Sequence, residues 1–374
     1  GQDSSFAGTE TAQGNQDGNG VGDFYYTVPT NFLALCTSNL DAPSIKLPGD
    51  NFNTVLYTGD GNTGRTVSVG LAPDFTWIKE RSVSRSHVLV DNVRGATKYI
   101  SSDSNATETT NSNVVTSLDS GGFTLGDDDL VNTDTQTYVS WSWLGDGVDG
   151  GTLNEVGDLD SQVNVNTTTG ISIATFTGNK TLAQTVGHGL GAIPDWLFLK
   201  NVSANGQSWR GYCIPYGTSK YKYLDRSDVW NDDGGISGEP TSTTFKVDNS
   251  DAINGTGNTI VCYSFLSIEG FSKGGIYTGN GNADGTFVYT GFRPQWILTA
   301  GADKWLMLDS KRDTYNVADE ALYAEEPDAV ATSTSLDILS NGFKARETSG
   351  CNVNAEIYGY LAFAESPFKY SNAR

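Results

Sequence analysis

The chain has 374 residues and a formal net charge of -21, with a pI near 4.3. Gly, Thr, Ser, Asn and Asp are abundant while Leu, Lys and Glu are sparse, which favours an all-β protein with many turns. The acidic balance argues against non-specific binding to nucleic acid or to anionic membranes, and no apolar run approaches the length of a membrane span.

Residues 1–50 stand apart as an N-terminal arm and linker. Gly8 to Gly22 lacks periodicity and reads as loop. Asp23 to Pro29 offers a short aromatic strand, and Asn31 to Cys36 an apolar segment that needs something to pack on. The chain begins Gly1-Gln2-Asp3 with no signal-peptide pattern, and we expect residue 1 to lie downstream of the genetic start.

From residue 51 one pattern is written three times. It opens with an aromatic-Thr-Gly-Asx turn: Tyr57-Thr58-Gly59-Asp60, Phe176-Thr177-Gly178-Asn179 and Tyr277-Thr278-Gly279-Asn280. A proline strand follows, at Pro73-Asp74-Phe75, Pro194-Asp195-Trp196 and Pro294-Gln295-Trp296. From opening aromatic to proline the spacing is 16, 18 and 17 residues; from proline to a later phenylalanine (Phe123, Phe245, Phe343) it is 50, 51 and 49. From that phenylalanine to an aromatic in the closing strand (Trp143, Phe265, Phe363) it is 20 in every copy. Four landmarks kept in register three times establish a triplication.

The closing strand of the first copy, Tyr138 to Leu144, alternates with period two: Val139, Trp141 and Trp143 on one face, Tyr138, Ser140 and Ser142 on the other. One aromatic face and one small, polar face predict a sheet buried on one side, hence a β-sandwich per copy. The expected organisation is an all-β chain of three tandem β-sandwich repeats at 51–145, 170–269 and 270–374, with a Gly/Asp-rich linker at 146–169. We expect the linker to be exposed with one short strand, the repeats to sit as beads in series, and the six-residue joint Glu269 to Gly274 to fix the last two.

Chemistry-bearing patterns are few. Of the two histidines, His188 stands where the sister copies have Val69 and Thr290, and His87 where they have Trp209 and Trp305, so both read as packing positions. Cys36, Cys213, Cys262 and Cys351 show no metal-ligand spacing and read as free thiols of a protein assembled in a reducing cytoplasm. Asp127-Asp128-Asp129, Asp146-Gly147-Val148-Asp149 and Asn231-Asp232-Asp233 carry calcium-type oxygens but match no calcium-loop pattern. No cofactor, metal site or catalytic residue is expected. The candidate recognition surface is the aromatic crowd of the second copy, Trp209, Tyr212, Tyr216, Tyr221, Tyr223 and Trp230, suited to stacking sugar rings if exposed; core and interface packing is the rival reading.

Several stretches resemble a family of tailed-phage structural proteins from marine and cyanobacterial phages. They include Gly270-Phe271-Ser272-Lys273, Phe287 to Pro294, Asp309-Ser310-Lys311-Arg312, Leu339 to Lys344 and Ala362 to Lys369. Gly20 to Leu40 is similar to the segment that follows a lectin-like (SPRY-type) domain in longer members. The resemblance implies a non-enzymatic virion protein, a tail fibre or host-facing appendage, with other virion proteins as partners. It further implies a homo-oligomer, a trimer by analogy with fibres, and host surface glycan as a possible ligand. A capsid decoration protein is the alternative, and a glycan depolymerase a more distant one.

Overall fold

Both faces of each closing strand are buried, and this governs the architecture. The computed structural model describes residues 11–232, 236–301 and 303–371. In each repeat an inner sheet has the order opening, closing, proline and return strand, all antiparallel. In repeat 1 these are Phe52–Thr58, Thr137–Trp143, Phe75–Glu80 and Val88–Asp91. In repeat 2 they are Ile171–Thr177, Thr259–Phe265, Trp196–Asn201 and Arg210–Cys213; in repeat 3, Ser272–Thr278, Ile357–Pro367, Phe292–Ala300 and Trp305–Asp309. An outer sheet covers one face of each, built around Gly122–Leu125, Thr244–Val247 and Gly342–Ala345, the strands that carry Phe123, Phe245 and Phe343. In repeat 3 inner and outer sheets run together as one eight-stranded sheet.

Tyr138, Ser140 and Ser142 face the interior of their own sandwich, where Tyr138 packs with Tyr57, Ile78, Val88 and Phe123. The expected solvent-facing side is therefore a second buried side. The opposite face, with Trp141 and Trp143, meets the corresponding faces of the other two repeats in a single aromatic core. On its axis the rings of Trp143, Phe265 and Phe363 form a triangle with centroid separations of 6.1, 5.9 and 5.6 Å. Phe75, Trp196 and Trp296, opposite them on the proline strands, surround the triangle, and Phe52 fills between Trp143 and Phe363 at 4.9 and 4.8 Å. The repeats are thus not beads in series but three sandwiches about a pseudo-threefold axis. Burying one such ring contributes about 1.5–3 kcal/mol before entropy is counted.

The Asx turns are pinned alike in all three copies. Asn132, Asn254 and Asn352 are fully buried, and their Oδ1 atoms accept from the backbone N–H of Asp60, Asn179 and Asn280 at 3.0, 2.9 and 3.0 Å. Their Nδ2 atoms donate to the carbonyls of Asn62, Thr181 and Asn282 and back to those of Gly126, Asp248 and Glu347. A side-chain amide that satisfies donors and acceptors on both sides fixes a turn that no regular ladder reaches.

The linker is largely exposed, as expected, but carries two strands instead of one. Thr152–Asn154 and Ser161–Asn166 add two strands to the edge of the repeat 2 inner sheet. Asp74 holds its start, with Oδ2 accepting from Gly145 N–H at 2.5 Å and Oδ1 from Asn164 at 3.1 Å. The second joint is held the same way, by Asp195 accepting from Ser267 N–H at 2.7 Å. The arm forms no aromatic strand beyond a single bridge, Asn15 to Phe24. It is tied by Asp17, whose carboxylate accepts from the N–H groups of Asn19, Val21 and Ala34 and from Asn39 Nδ2. The arm lies on repeat 3, where Lys369 donates to the Leu40 carbonyl, and it inserts Ile45 into the shared core. Phe32, Leu33 and Leu35 stay exposed.

Replacing Trp143 removes a ring that all three repeats touch. Trp143→Ala is expected to lower unfolding free energy by about 3–5 kcal/mol, read from the denaturant midpoint at unchanged m-value.

Candidate functional site

The six aromatics of repeat 2 do not form one exposed platform. Trp209, Tyr212, Tyr221 and Trp230 are buried, and Tyr216 and Tyr223 half-buried. Trp209 lies in the shared core, 6.2 Å from Tyr263, and its Nε1 donates to the Ser101 carbonyl of repeat 1 at 2.9 Å. Tyr212 and Tyr221 belong to the interior of the repeat 2 sandwich, with the Arg210 guanidinium 4.6 Å above the Tyr221 ring. Tyr223 meets Tyr221 hydroxyl to hydroxyl at 3.1 Å. Trp230 packs against Trp196 and takes the edge of Tyr216. Their faces are spent on packing, so sugar stacking at this cluster is not supported. A Lys-Tyr pair recurs in the first two copies, Lys98-Tyr99 and Lys220-Tyr221; Lys98 pairs with Glu108, and Lys220 with Asp232, its ammonium 5.3 Å from the Tyr216 ring.

What these positions build is the seam between repeats. His87, Trp209 and Trp305 occupy equivalent sites two residues before Leu89, Gly211 and Met307. Each sends a ring nitrogen to the preceding repeat around the axis. His87 Nε2 lies 3.1 Å from the Tyr323 carbonyl, and Trp209 Nε1 and Trp305 Nε1 donate to the Ser101 and Tyr223 carbonyls at 2.9 and 2.7 Å. His87 Nδ1 accepts from Trp77 Nε1 at 2.8 Å, which places the proton on Nε2; burial holds its pKa well below the usual histidine range. His188 is likewise buried, its Nδ1 accepting from Leu190 N–H at 3.2 Å. Both imidazoles are neutral structural groups here.

The backbone N–H of each seam residue is held by a carboxylate of its own repeat. His87 donates to Asp103 at 3.0 Å, Trp209 to Asp225 at 3.0 Å and Trp305 to Glu325 at 3.1 Å. Burial raises the pKa of all three acids, that of Glu325 to about 7. A second ring of contacts lies further along the return strands. Asp91 and Arg94 form a buried pair at 2.6 Å, and both bond the Tyr263 hydroxyl of repeat 2. Asp309 and Arg312 repeat the pair at 2.6 Å, with Trp141 of repeat 1 donating to Asp309 at 3.2 Å. The third equivalent set is Cys213, Tyr216 and Leu361, an apolar version of the same seam. Burial pushes the thiols of Cys213, Cys262 and Cys351 up, that of Cys262 to about 12.

The acidic clusters are structural turns. Asp128 caps the short helix Asp129–Asn132 through Leu130 N–H, and Asp129 pairs with Arg85 at 3.3 Å. Asp146 accepts from Val148 N–H, and Asp233 lies outside the described residues. Among the described residues, no group of three or more His, Cys, Asp or Glu side chains is placed to hold a metal ion. Among the described residues three concavities are large enough for a ligand. One of about 790 Å³ runs between the arm and repeat 3, past Pro43, Lys273 and Tyr289. A second, of about 510 Å³, is an open hollow beside Leu47, Pro48 and Glu365. The third, of about 210 Å³, enters the repeat 3 sandwich between Lys304, Tyr323, Glu347 and Tyr358.

Residues 47–367 match the family model described as "Domain of unknown function (DUF7483)". The chain belongs to this family. The match takes in all three repeats and leaves out most of the arm, so one DUF7483 domain is the whole pseudo-threefold body and not a single sandwich. Neither the curated proteins nor the solved structures yield a match.

The Glu325 shift has a pH signature. A carboxyl whose pKa rises on folding from 4.5 to about 7 favours the folded state fully below pH 4.5, and this contribution is lost as pH rises through 7. Glu325→Gln keeps an acceptor for Trp305 N–H. Its stability relative to the parent is expected to increase between pH 4.5 and 7 and to level off above, in urea titrations across that range.

Proposed function

We propose that this DUF7483 chain is a structural protein of a tailed-phage particle, a tail fibre or other host-facing appendage that works by surface contact and not by turnover. The observation that carries the reading is the locking of three sandwiches about one axis by the Trp143, Phe265 and Phe363 triangle and the seam bonds. Such a body presents equivalent edges in three directions with fixed geometry. Repeated weak contacts then gain strength through effective concentration. The sequence likeness to phage structural proteins supports the same reading.

Fibres are commonly threefold through three chains. Here one chain supplies the threefold geometry, which suits it to sit at the end of a trimeric shaft. The arm, with Phe32, Leu33 and Leu35 exposed, is the segment we assign to contacts with other virion proteins or other copies of the chain. The same geometry favours a second reading, decoration of a threefold position on a capsid. Gold-labelled antibody against the folded domain, imaged on intact particles, separates the two. Label at the tail tip is the expected result, label on the head favours decoration, and particles without label overturn both.

A further inference from the structure

One departure from the threefold pattern lies in the interior of the repeat 3 sandwich. At three equivalent positions repeat 3 carries a smaller side chain than both sisters. Thr299 stands where they have Ile78 and Leu199, Cys351 where they have Val131 and Ile253, and Gly301 where they have Glu80 and Asn201. In repeats 1 and 2 these side chains are buried: Ile78, Val131, Leu199 and Ile253 fill the sandwich, and Asn201 Nδ2 reaches the Asp251 carbonyl at 2.7 Å. In repeat 3 the space at Gly301 is taken by the Tyr358 ring, while Thr299 and Cys351 line a cavity of about 210 Å³. At roughly 30 Å³ per water it holds about seven waters, the scale of one six-membered sugar ring.

Its walls divide by depth. Asp303, Lys304 and Gly350 are exposed and form the rim, while Leu306, Ser335, Cys351 and Tyr358 are buried and form the floor. Tyr358 is held rigidly, stacked on Tyr277 at 5.0 Å, with its hydroxyl donating to the Gly350 carbonyl at 2.7 Å and accepting from Val353 N–H at 3.0 Å. Gly301 is needed for this placement, since a Cβ there would fall 2.0 Å from the Tyr358 ring. Glu347 accepts from Cys351 N–H at 3.0 Å and makes no ion pair among the described residues, so its carboxylate offers further acceptor capacity to the cavity. Lys304, over the Tyr323 ring at 4.1 Å and paired with Glu326 at 2.9 Å, places a positive charge at the entrance.

We propose that this cavity is a binding site for a small neutral polyol, a single sugar ring or the terminal ring of a glycan. Leu306, Tyr323 and Tyr358 give the wall an apolar part for the C–H groups of such a ring, and Glu347, Ser333 and Thr299 supply acceptors and hydroxyls for its own hydroxyl groups. Glu347 and Asp303 disfavour an anionic ligand, and Lys304 at the entrance offsets part of their attraction for a cationic one. The site stands independently of the virion reading, and it lies in repeat 3, away from the repeat 2 aromatics.

The test uses the full chain with glucose, galactose, mannose and N-acetylglucosamine as probes and n-butylamine as the cationic control. Saturation-transfer NMR detects binding and calorimetry gives the affinity. At least one sugar is expected to bind in the millimolar range. The sister-repeat graft Thr299→Ile/Cys351→Val refills the cavity and is expected to weaken that binding by about tenfold or more. Glu347→Gln keeps the volume, is expected to weaken binding several-fold, and decides the matter alone if the graft does not fold. Binding by no sugar, binding undiminished in the graft or in Glu347→Gln, or binding of n-butylamine only would each overturn the proposal.

Discussion

Everything else in the molecule depends on the contact of three aromatic faces. Trp143, Phe265 and Phe363 meet on one axis, and the rings beside them belong to the three proline strands. Each inner sheet is a wall shared between two cores, its own sandwich on one side and the axis on the other. Because both faces of each inner sheet are covered, even the polar Ser140, Ser142 and Ser264 of the closing strands are fully buried. A sandwich cut out by itself would expose the aromatic face, a patch that a monomeric domain rarely leaves in water.

The seams show how a triplicated unit holds one geometry while its residues diverge. The ring nitrogen that reaches the preceding repeat belongs to an imidazole in one copy and to indoles in two. The carboxylate beneath it is Asp, Asp and Glu. At the second ring of contacts the Asp-Arg pair occurs twice, and Cys213 with Tyr216 replaces it in repeat 2. A buried ion pair and a packed apolar set are close in net stability, while loss of one charge from a pair costs several kcal/mol, about 3–5. Divergence of this sort has to replace both partners together, as it has here.

Much of this was legible in the sequence, and the rest was hidden for identifiable reasons. Landmark spacing revealed the triplication, and the period of two in Tyr138 to Leu144 revealed the faces of the closing strand. Alternation tells which residues share a face but not what covers it, so the shared core and the burial of the Ser140 face could not be read from it. The same blindness left the repeat 2 aromatics open between surface and core: the alignment of Trp209 with His87 and Trp305 marked a packing position, but that it packs across the seam between repeats is visible only in space. The pinning asparagines were available to inspection, since Asn132, Asn254 and Asn352 each follow the outer-sheet phenylalanine by nine residues. The repeat 3 cavity was also latent in the aligned repeats, as Thr299 and Cys351, which line it, are each smaller than both counterparts.

If the axis is a true common core, no repeat has a stability of its own. Differential scanning calorimetry of the whole chain tests this most directly. The expected result is one transition whose calorimetric enthalpy equals its van't Hoff enthalpy. Two or three resolved transitions, or a calorimetric enthalpy two to three times the van't Hoff value, would mean that the sandwiches melt separately and would contradict the shared-core account.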